Sequence, residues 1–360
     1  MRSRRGRSSH VCLAARPLAT VEHLAAIARQ SASAGLETCW LDLGDEPNIT
    51  EAIRAWGDPG ATPIRIAGAA ALSRHLRRHR PVAIWLQTPY PEHYPDWFWS
   101  IAAGSLGYAG YGLTLSTWDA GLYGLETYRQ ARWLITESED DRQGYLRFGV
   151  EPDRVRVLGN PLLYELRTAL PAAPEPIVDV LWAPHWTEDW FGRRGFSTWR
   201  ETAPAMLEFA EAHPDRRVRL RPHPLLPAAM ARGDAEDPAG RAYRRLAALP
   251  NVTISRGPLV QDILECAALV TDGVSIIAYW AATGRPLAIT RDASSPPFNA
   301  IGERLVELSD RIDEPARLAS WLDDSVARGD GSSRRAYSET VHPTGPESPI
   351  ARWVSWRDPA

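Results

Sequence analysis

The sequence predicts an α/β protein of two doubly wound, Rossmann-type domains facing each other across a cleft. Three observations carry that expectation. Short β-rich runs alternate with helical periods along the chain, the pattern of parallel sheets covered by helices. At 360 residues the chain is longer than one hydrophobic core usually serves. A proline cluster, Pro171, Pro174 and Pro176 around two alanines, interrupts the alternation near the middle and reads as a linker. The expected organisation is a first domain at 1–169, a linker at 170–176, a second domain at 177–328 and a partly ordered tail at 329–360.

In the first half, apolar runs bounded by turn residues predict strands at Val11–Ala15, Thr38–Asp42, Pro63–Ile66, Val82–Leu86, Leu106–Tyr111, Trp133–Thr136 and Val155–Leu158. Helical spacing predicts helices at Val21–Ala34, Ile49–Trp56, Ala69–His79 and Glu139–Phe148. The second half repeats the arrangement. Its strands are expected at Val178–Ala183, Val218–Arg221, Val252–Ser255, Ala268–Thr271 and Leu287–Thr290. Helices at Arg200–His213, Arg241–Ala248, Val260–Ala267, Ser275–Gly284 and Pro315–Val326 fill the gaps. The tail is rich in Ser, Pro and Arg, with Trp353 and Trp356 available to pin it to the body.

Composition allows both cores, with 44% hydrophobic and 24% charged residues, and a net charge of −3 gives no global case for nucleic acid. All 41 basic residues are arginine. Arg2, Arg4, Arg5 and Arg7 form a basic start, read as a solvated tail or as a contact to anionic lipid. The apolar stretch after it is broken at Arg16, too short for a signal peptide, and no charge-free run is long enough to span a bilayer. A cytoplasmic protein is expected, with peripheral attachment to the inner face of the membrane left open. Cys12, Cys39 and Cys266 are odd in number and sit in largely apolar stretches. They read as buried free thiols, with metal ligation or a nucleophile as alternatives.

The chemistry concentrates in the second half. Thr271-Asp-Gly-Val-Ser275 closes a strand and runs into the apolar Ile276–Trp280, which aims free backbone N–H groups at whatever sits above the turn. Such a turn can hold phosphate. Ser275 either caps its helix or donates to a phosphate oxygen, and the two roles are compatible. Asp272 fixes the turn, or accepts from a ribose or acceptor hydroxyl. Arg219 and Arg221 leave the same face of their strand, and Arg221, nearer its carboxyl end, offers a fork for two phosphate oxygens. Pro222-His223-Pro224 stiffens the following turn, so that His223 either donates to a diphosphate or serves local hydrogen bonding. His185, in Ala183-Pro-His-Trp186, either contacts the ligand or caps the sheet. Arg221, His223, Thr271, Asp272 and Ser275 are the expected diphosphate set.

These segments carry a resemblance. Ala-Pro-His-Trp at 183–186, Arg-Pro-His-Pro at 221–224 and Thr-Asp-Gly-Val-Ser at 271–275, then Gly284-Arg-Pro-Leu-Ala-Ile289, resemble in order the C-terminal half of the CDP-glycerol glycerophosphotransferase family, the teichoic-acid primases and polymerases. Gly159-Asn-Pro161 is similar to that family's Gly-x-Pro element. The resemblance covers about residues 80–310. It implies a GT-B fold, a CDP-alditol held by the C-terminal domain, and transfer of an alditol phosphate to a polymer or lipid-linked acceptor of the cell envelope. Val274 replaces the first of two serines usual in the family turn, and His185 stands where a small hydroxyl residue is common.

Attack by an acceptor hydroxyl needs a base, worth roughly 10²–10⁴-fold in rate. The family's polymerase branch uses a His-Gly-Thr-Pro motif, which this chain lacks. Gly107-Tyr-Ala-Gly-Tyr-Gly112 stands there instead, similar to a branch with Tyr-x-x-Tyr-Gly preceded by Gln-x-Pro-Tyr, here Gln87-Thr-Pro-Tyr90. His93 is a candidate base, its tautomer set by Glu92 or Asp96, and Asp119 is a second candidate. Tyr108 and Tyr111 either line an acceptor site or pack. No cofactor is expected, and without an Asp-x-Asp motif no metal. The alternatives are a GT-B glycosyltransferase using a UDP- or CMP-sugar and a non-catalytic nucleotide-sugar-binding protein.

Overall fold

The computed structural model describes residues 10–15, 21–44, 49–56, 60–86, 88–117, 119–172, 175–190, 193–231, 237–291, 293–324 and 331–358. The chain divides into two compact units. Among the described residues the first comprises 10–111, 119–165 and 342–358, and the second 112–117 and 166–341.

The first unit holds seven strands: β1 (His10–Ala15), β2 (Glu37–Asp42), β3 (Ile64–Arg65), β4 (Ala83–Leu86), β5 (Leu106–Ala109), β6 (Trp133–Thr136) and β7 (Val155–Val157). They form one parallel sheet in the order β3-β2-β1-β4-β5-β6-β7. β4, β5 and β6 are buried at all four positions, as strands covered on both faces must be. Alternation along β1 sends Val11, Leu13 and Ala15 into one apolar layer and Cys12 and Ala14 into the other.

Helix boundaries follow local chemistry. Ser138 Oγ accepts from Asp141 N–H, and Glu139, Asp140 and Asp141 place negative charge in the first turn of the helix Glu139–Arg147. Asn160 caps the helix Pro161–Ala169 by accepting from Leu162 and Leu163 N–H, 3.0 Å each, with Pro161 opening the helix. Among the described residues of the stretch 329–360 are two helices, Ser332–Val341 and Pro349–Arg357. The second belongs to the first unit, where buried Trp353 lies edge-on to Trp85 at 5.0 Å and Trp356 lies edge-on to Trp133 at 5.0 Å.

The second unit contains β8 (Val178–Ala183), a small antiparallel ribbon of β9 (Asp189–Trp190) and β10 (Arg193–Arg194), β11 (Val218–Leu220), β12 (Val252–Ile254), β13 (Cys266–Thr271), β14 (Leu287–Thr290) and β15 (Asp310–Ile312). Its main sheet is parallel, in the order β12-β11-β8-β13-β14-β15. The short edge strand β15 is absent from the sequence-based expectation, because three residues with two charges carry no apolar run. The stretch expected as a linker, 170–176, lies within the second unit, which resumes at Leu166; Leu170–Ala172 forms a 3₁₀ turn, and 173–174 lie outside the described residues.

Candidate functional site

In a doubly wound sheet, ligands bind beyond the carboxyl ends of strands where the winding reverses. In the second unit that reversal falls between β8 and β13. The loops leaving these strands carry His185 and the Thr271–Ser275 turn, and the loop after neighbouring β11 carries His223.

Asp272 ties this region together. One carboxylate oxygen accepts from His185 N–H at 2.5 Å, and the other from Thr198 N–H at 2.5 Å and Thr198 Oγ1 at 3.1 Å. Burial pushes Asp272 up to about 7, against the pull of these donors. Thr271 is also engaged, donating to the Ala183 carbonyl at 2.6 Å and accepting from Gly273 N–H at 2.9 Å. Both residues therefore hold the two loops in register.

The rings of His185 and His223 lie 5.0 Å apart, and Trp186 lies 6.0 Å from His223. Each imidazole Nδ1 accepts from a backbone N–H two residues on, Thr187 at 3.3 Å for His185 and Leu225 at 3.2 Å for His223. A backbone N–H can only donate, so in the neutral ring the proton sits on Nε2. Thr187 Oγ1 adds a second contact to His185 Nδ1 at 2.8 Å. Burial lowers His185 to about 3, with His223 adding to the effect, and lowers His223 to about 4. At neutral pH the pair presents two uncharged N–H donors.

Arg221 is placed differently. Its Nη1 donates to Asp262 at 2.6 Å, to the Gly257 carbonyl at 2.8 Å and to Ser255 Oγ at 3.3 Å. Arg219 meets the same Asp262 at 3.1 Å and Glu265 at 2.6 Å. Arg219 on β11 and Arg221 just past its end thus both reach Asp262 on the helix Leu259–Glu265. Ser275 occupies the first position of the helix Ser275–Ala281, with Val274 at the cap and no side-chain cap bond. Its Oγ lies so close to Gly112 that a Cβ there would approach within 2.7 Å. The structure thus joins His185, His223, Thr271 and Asp272 through direct contacts, leaves Ser275 at the end of the same turn, and assigns Arg221 to a separate ion network.

In the first unit the winding reverses between β1 and β4. His93 follows β4 in the turn Pro91–His93, and its Nδ1 partner is Thr88 Oγ1 at 2.8 Å, while Glu92 and Asp96 are exposed. Tyr90 sits 5.3 Å from His93, and its hydroxyl lies 3.4 Å from that of Tyr111. Tyr108 is buried in the core, 5.5 Å from the Tyr128 ring, so of the two tyrosines Tyr111 joins the polar cluster. Asp119 opens the helix Asp119–Tyr123, and its side chain lies outside the described residues, as does Gln87.

Glu137 escaped the sequence reading. It follows β6 and is 3% exposed. Its Oε1 lies 2.5 Å from where a Cβ on Gly110 would be, so a side chain in the loop after β5 would displace the carboxyl group. Burial drives Glu137 well above the ordinary carboxyl range. The signal for it is an ionisable residue directly after an apolar strand, inside Thr136-Glu-Ser138.

The two parallel sheets, each doubly wound, define a GT-B-like α/β fold, and solved structures share it. UDP-GlcNAc 2-epimerase from Neisseria meningitidis bound to UDP-GlcNAc superposes with a TM-score of 0.59 at 11% identity, covering 97% of this chain and 98% of its own. The S. aureus MnaA structure with UDP gives 0.61 at 11% identity over 96% and 95%. The wall teichoic acid polymerase TagF gives 0.60 at 12% identity over 97% and 87%. At these identities the likeness establishes the fold. No protein-family model matches the sequence, and no curated protein sequence matches it.

Proposed function

We propose that this chain is a GT-B transferase that moves an alditol phosphate from a CDP-alditol to a cell-envelope polymer or lipid-linked acceptor. The observation that carries the reading is the His185–His223 pair, two neutral N–H donors fixed at the winding reversal of the second sheet, 5.0 Å apart. The order of the three motifs around it supports the same donor class, and peripheral attachment to a membrane belongs to the proposal. Among the described residues no helix is long and apolar enough to cross a membrane.

In this reading the acceptor hydroxyl gives its proton to a general base and attacks the phosphorus that carries the alditol. The bond from that phosphorus to the bridging oxygen breaks, and CMP leaves with the electron pair. His185, His223 and Ser275 donate to the diphosphate and stabilise the charge that develops on the leaving phosphate. His93, oriented by Thr88, is the base.

The test is a binding panel on the purified chain with CDP-glycerol, CDP, CMP, UDP and UDP-GlcNAc, followed by single-turnover detection of CMP with an acceptor. CDP-glycerol is expected to bind best, and CMP to appear. UDP-GlcNAc is the essential competitor, because two of the structures that share the fold contain it or UDP. A preference for UDP-GlcNAc without CMP release transfers the assignment to sugar chemistry, and binding without turnover makes the chain a nucleotide-sugar-binding protein.

A further inference from the structure

Away from both loop clusters, the first unit gathers a second set of reactive side chains. His10 and Cys12 are two apart on β1 and so share a face. Cys39 is the register partner of Cys12 on β2. Over them packs the helix Ala69–His79, which brings His75 onto the two sulfurs and stacks His79 on His75 at 4.5 Å. One ligand atom from each of His10, Cys12, Cys39 and His75 lies within 4.8 Å of every other.

The distances fit a tetrahedral ion. Zinc bonds of about 2.3 Å to sulfur and about 2.0–2.1 Å to nitrogen place a sulfur and a nitrogen roughly 3.5 Å apart at the tetrahedral angle. His75 Nε2 lies 3.5 Å from Cys12 Sγ and 3.5 Å from Cys39 Sγ. The two sulfurs are 2.9 Å apart, longer than a disulfide of about 2.0 Å. They need to part by just under ~1 Å to reach the edge between two zinc thiolates, a small side-chain rotation. Cys12 and His75 are buried, while His10 is partly exposed and gives an ion a way in.

We propose that His10, Cys12, Cys39 and His75 form a structural zinc site that staples β1, β2 and the helix Ala69–His79. Two thiolates and two imidazoles filling four positions suit zinc and leave no open position for a substrate. Binding releases two thiol protons to solvent, and the ion links segments up to 65 residues apart in sequence. His79, stacked on both His10 and His75, fixes the ring planes from outside the ligand set.

The experiment is metal analysis of the full chain, purified without a chelating tag under reducing conditions, with cobalt exchange read by absorption. About one zinc per chain is expected. The cobalt form should show tetrahedral visible bands together with a thiolate charge-transfer band. Cys12→Ser and His75→Ala should each reduce zinc content to near zero and lower Tm, and a zinc chelator should lower Tm of the wild-type chain but not of the variants. If a variant fails to fold, the cobalt spectrum of the wild-type chain still decides. Lack of a thiolate band on saturation with cobalt overturns the proposal, as does a Cys12–Cys39 disulfide in the protein as isolated or stoichiometric occupancy by another metal.

Discussion

Arg221 is bound to Asp262 at 2.6 Å, so the arginine that the sequence marks as a phosphate fork is part of the second unit's own charge network. Its neighbour two residues on, His223, faces His185 instead. The two residues of one short motif therefore separate into different tasks.

This separation is measurable. Arg221→Met should cost about 1–3 kcal/mol in urea unfolding, the scale of hydrogen bonds to a charged group. Its effect on nucleotide affinity should be smaller than that of His223→Ala, which removes a donor and should weaken affinity roughly tenfold with little change in stability. Calorimetric titration of both variants checks the contrast, and an inverted order would return the phosphate role to Arg221.

Acid stability should depend on the imidazole pair. Both rings normally titrate at 6.5, and burial holds them at about 3 and about 4 in the folded chain. Below 6.5 the unfolded chain takes up protons that the folded chain refuses, so this contribution to stability falls as pH drops toward 4. Asp272 acts oppositely: raised from 3.8 to about 7, it keeps its proton in the fold over that interval and favours the folded state in acid. Two imidazoles outweigh one carboxyl. The double variant His185→Gln/His223→Gln should flatten or reverse the loss between about pH 6.5 and about pH 4. An unchanged slope in urea melts across this range counts against the neutral pair.

Asp272→Asn tests the loop tie. Both carboxylate oxygens accept backbone N–H groups, from His185 and Thr198, and a carboxamide can serve only one. A loss of about 1–3 kcal/mol is expected, together with weaker nucleotide binding, because the His185 loop loosens. Stability equal to wild type would mean that the loops are held by other contacts.

Glu137→Gln gives a pH signature of its own. Burial keeps Glu137 protonated in the fold, whereas the unfolded chain ionises near the ordinary 4.5, so wild-type stability falls as pH rises past that value. The glutamine variant should melt higher than wild type at neutral pH, with the gap closing as pH falls through about 4.5. Turnover should be nearly retained, whereas His93→Ala should reduce it by roughly 10²-fold or more. Loss of turnover in the glutamine variant with His93→Ala active would make Glu137 the base.

Much of the fold was legible because its signals are local. The apolar run Trp133–Thr136 is four residues of β6 and every one is buried. The helix Ala69–His79 was bounded at the residues where it begins and ends. The strand expected at Leu106–Tyr111 stops at Ala109, where Gly110 turns the chain against Glu137, a contact 27 residues away that no local pattern encodes. The same holds for the candidate site. Motif order indicated the loops after β8, β11 and β13, yet the partner of Arg221 and the zinc set of His10, Cys12, Cys39 and His75 depend on which helix packs over which strand.

The helix Pro349–Arg357 has a consequence for how the molecule is made. With Trp353 fully buried against Trp85 in the first unit, the first sheet, synthesised ahead of the second unit, lacks a central piece of its interior until Pro349–Arg357 has left the ribosome. Nascent chains stalled anywhere in the second unit should therefore expose that aromatic socket to chaperones, and the first unit should resist protease only after the helix Pro349–Arg357 emerges.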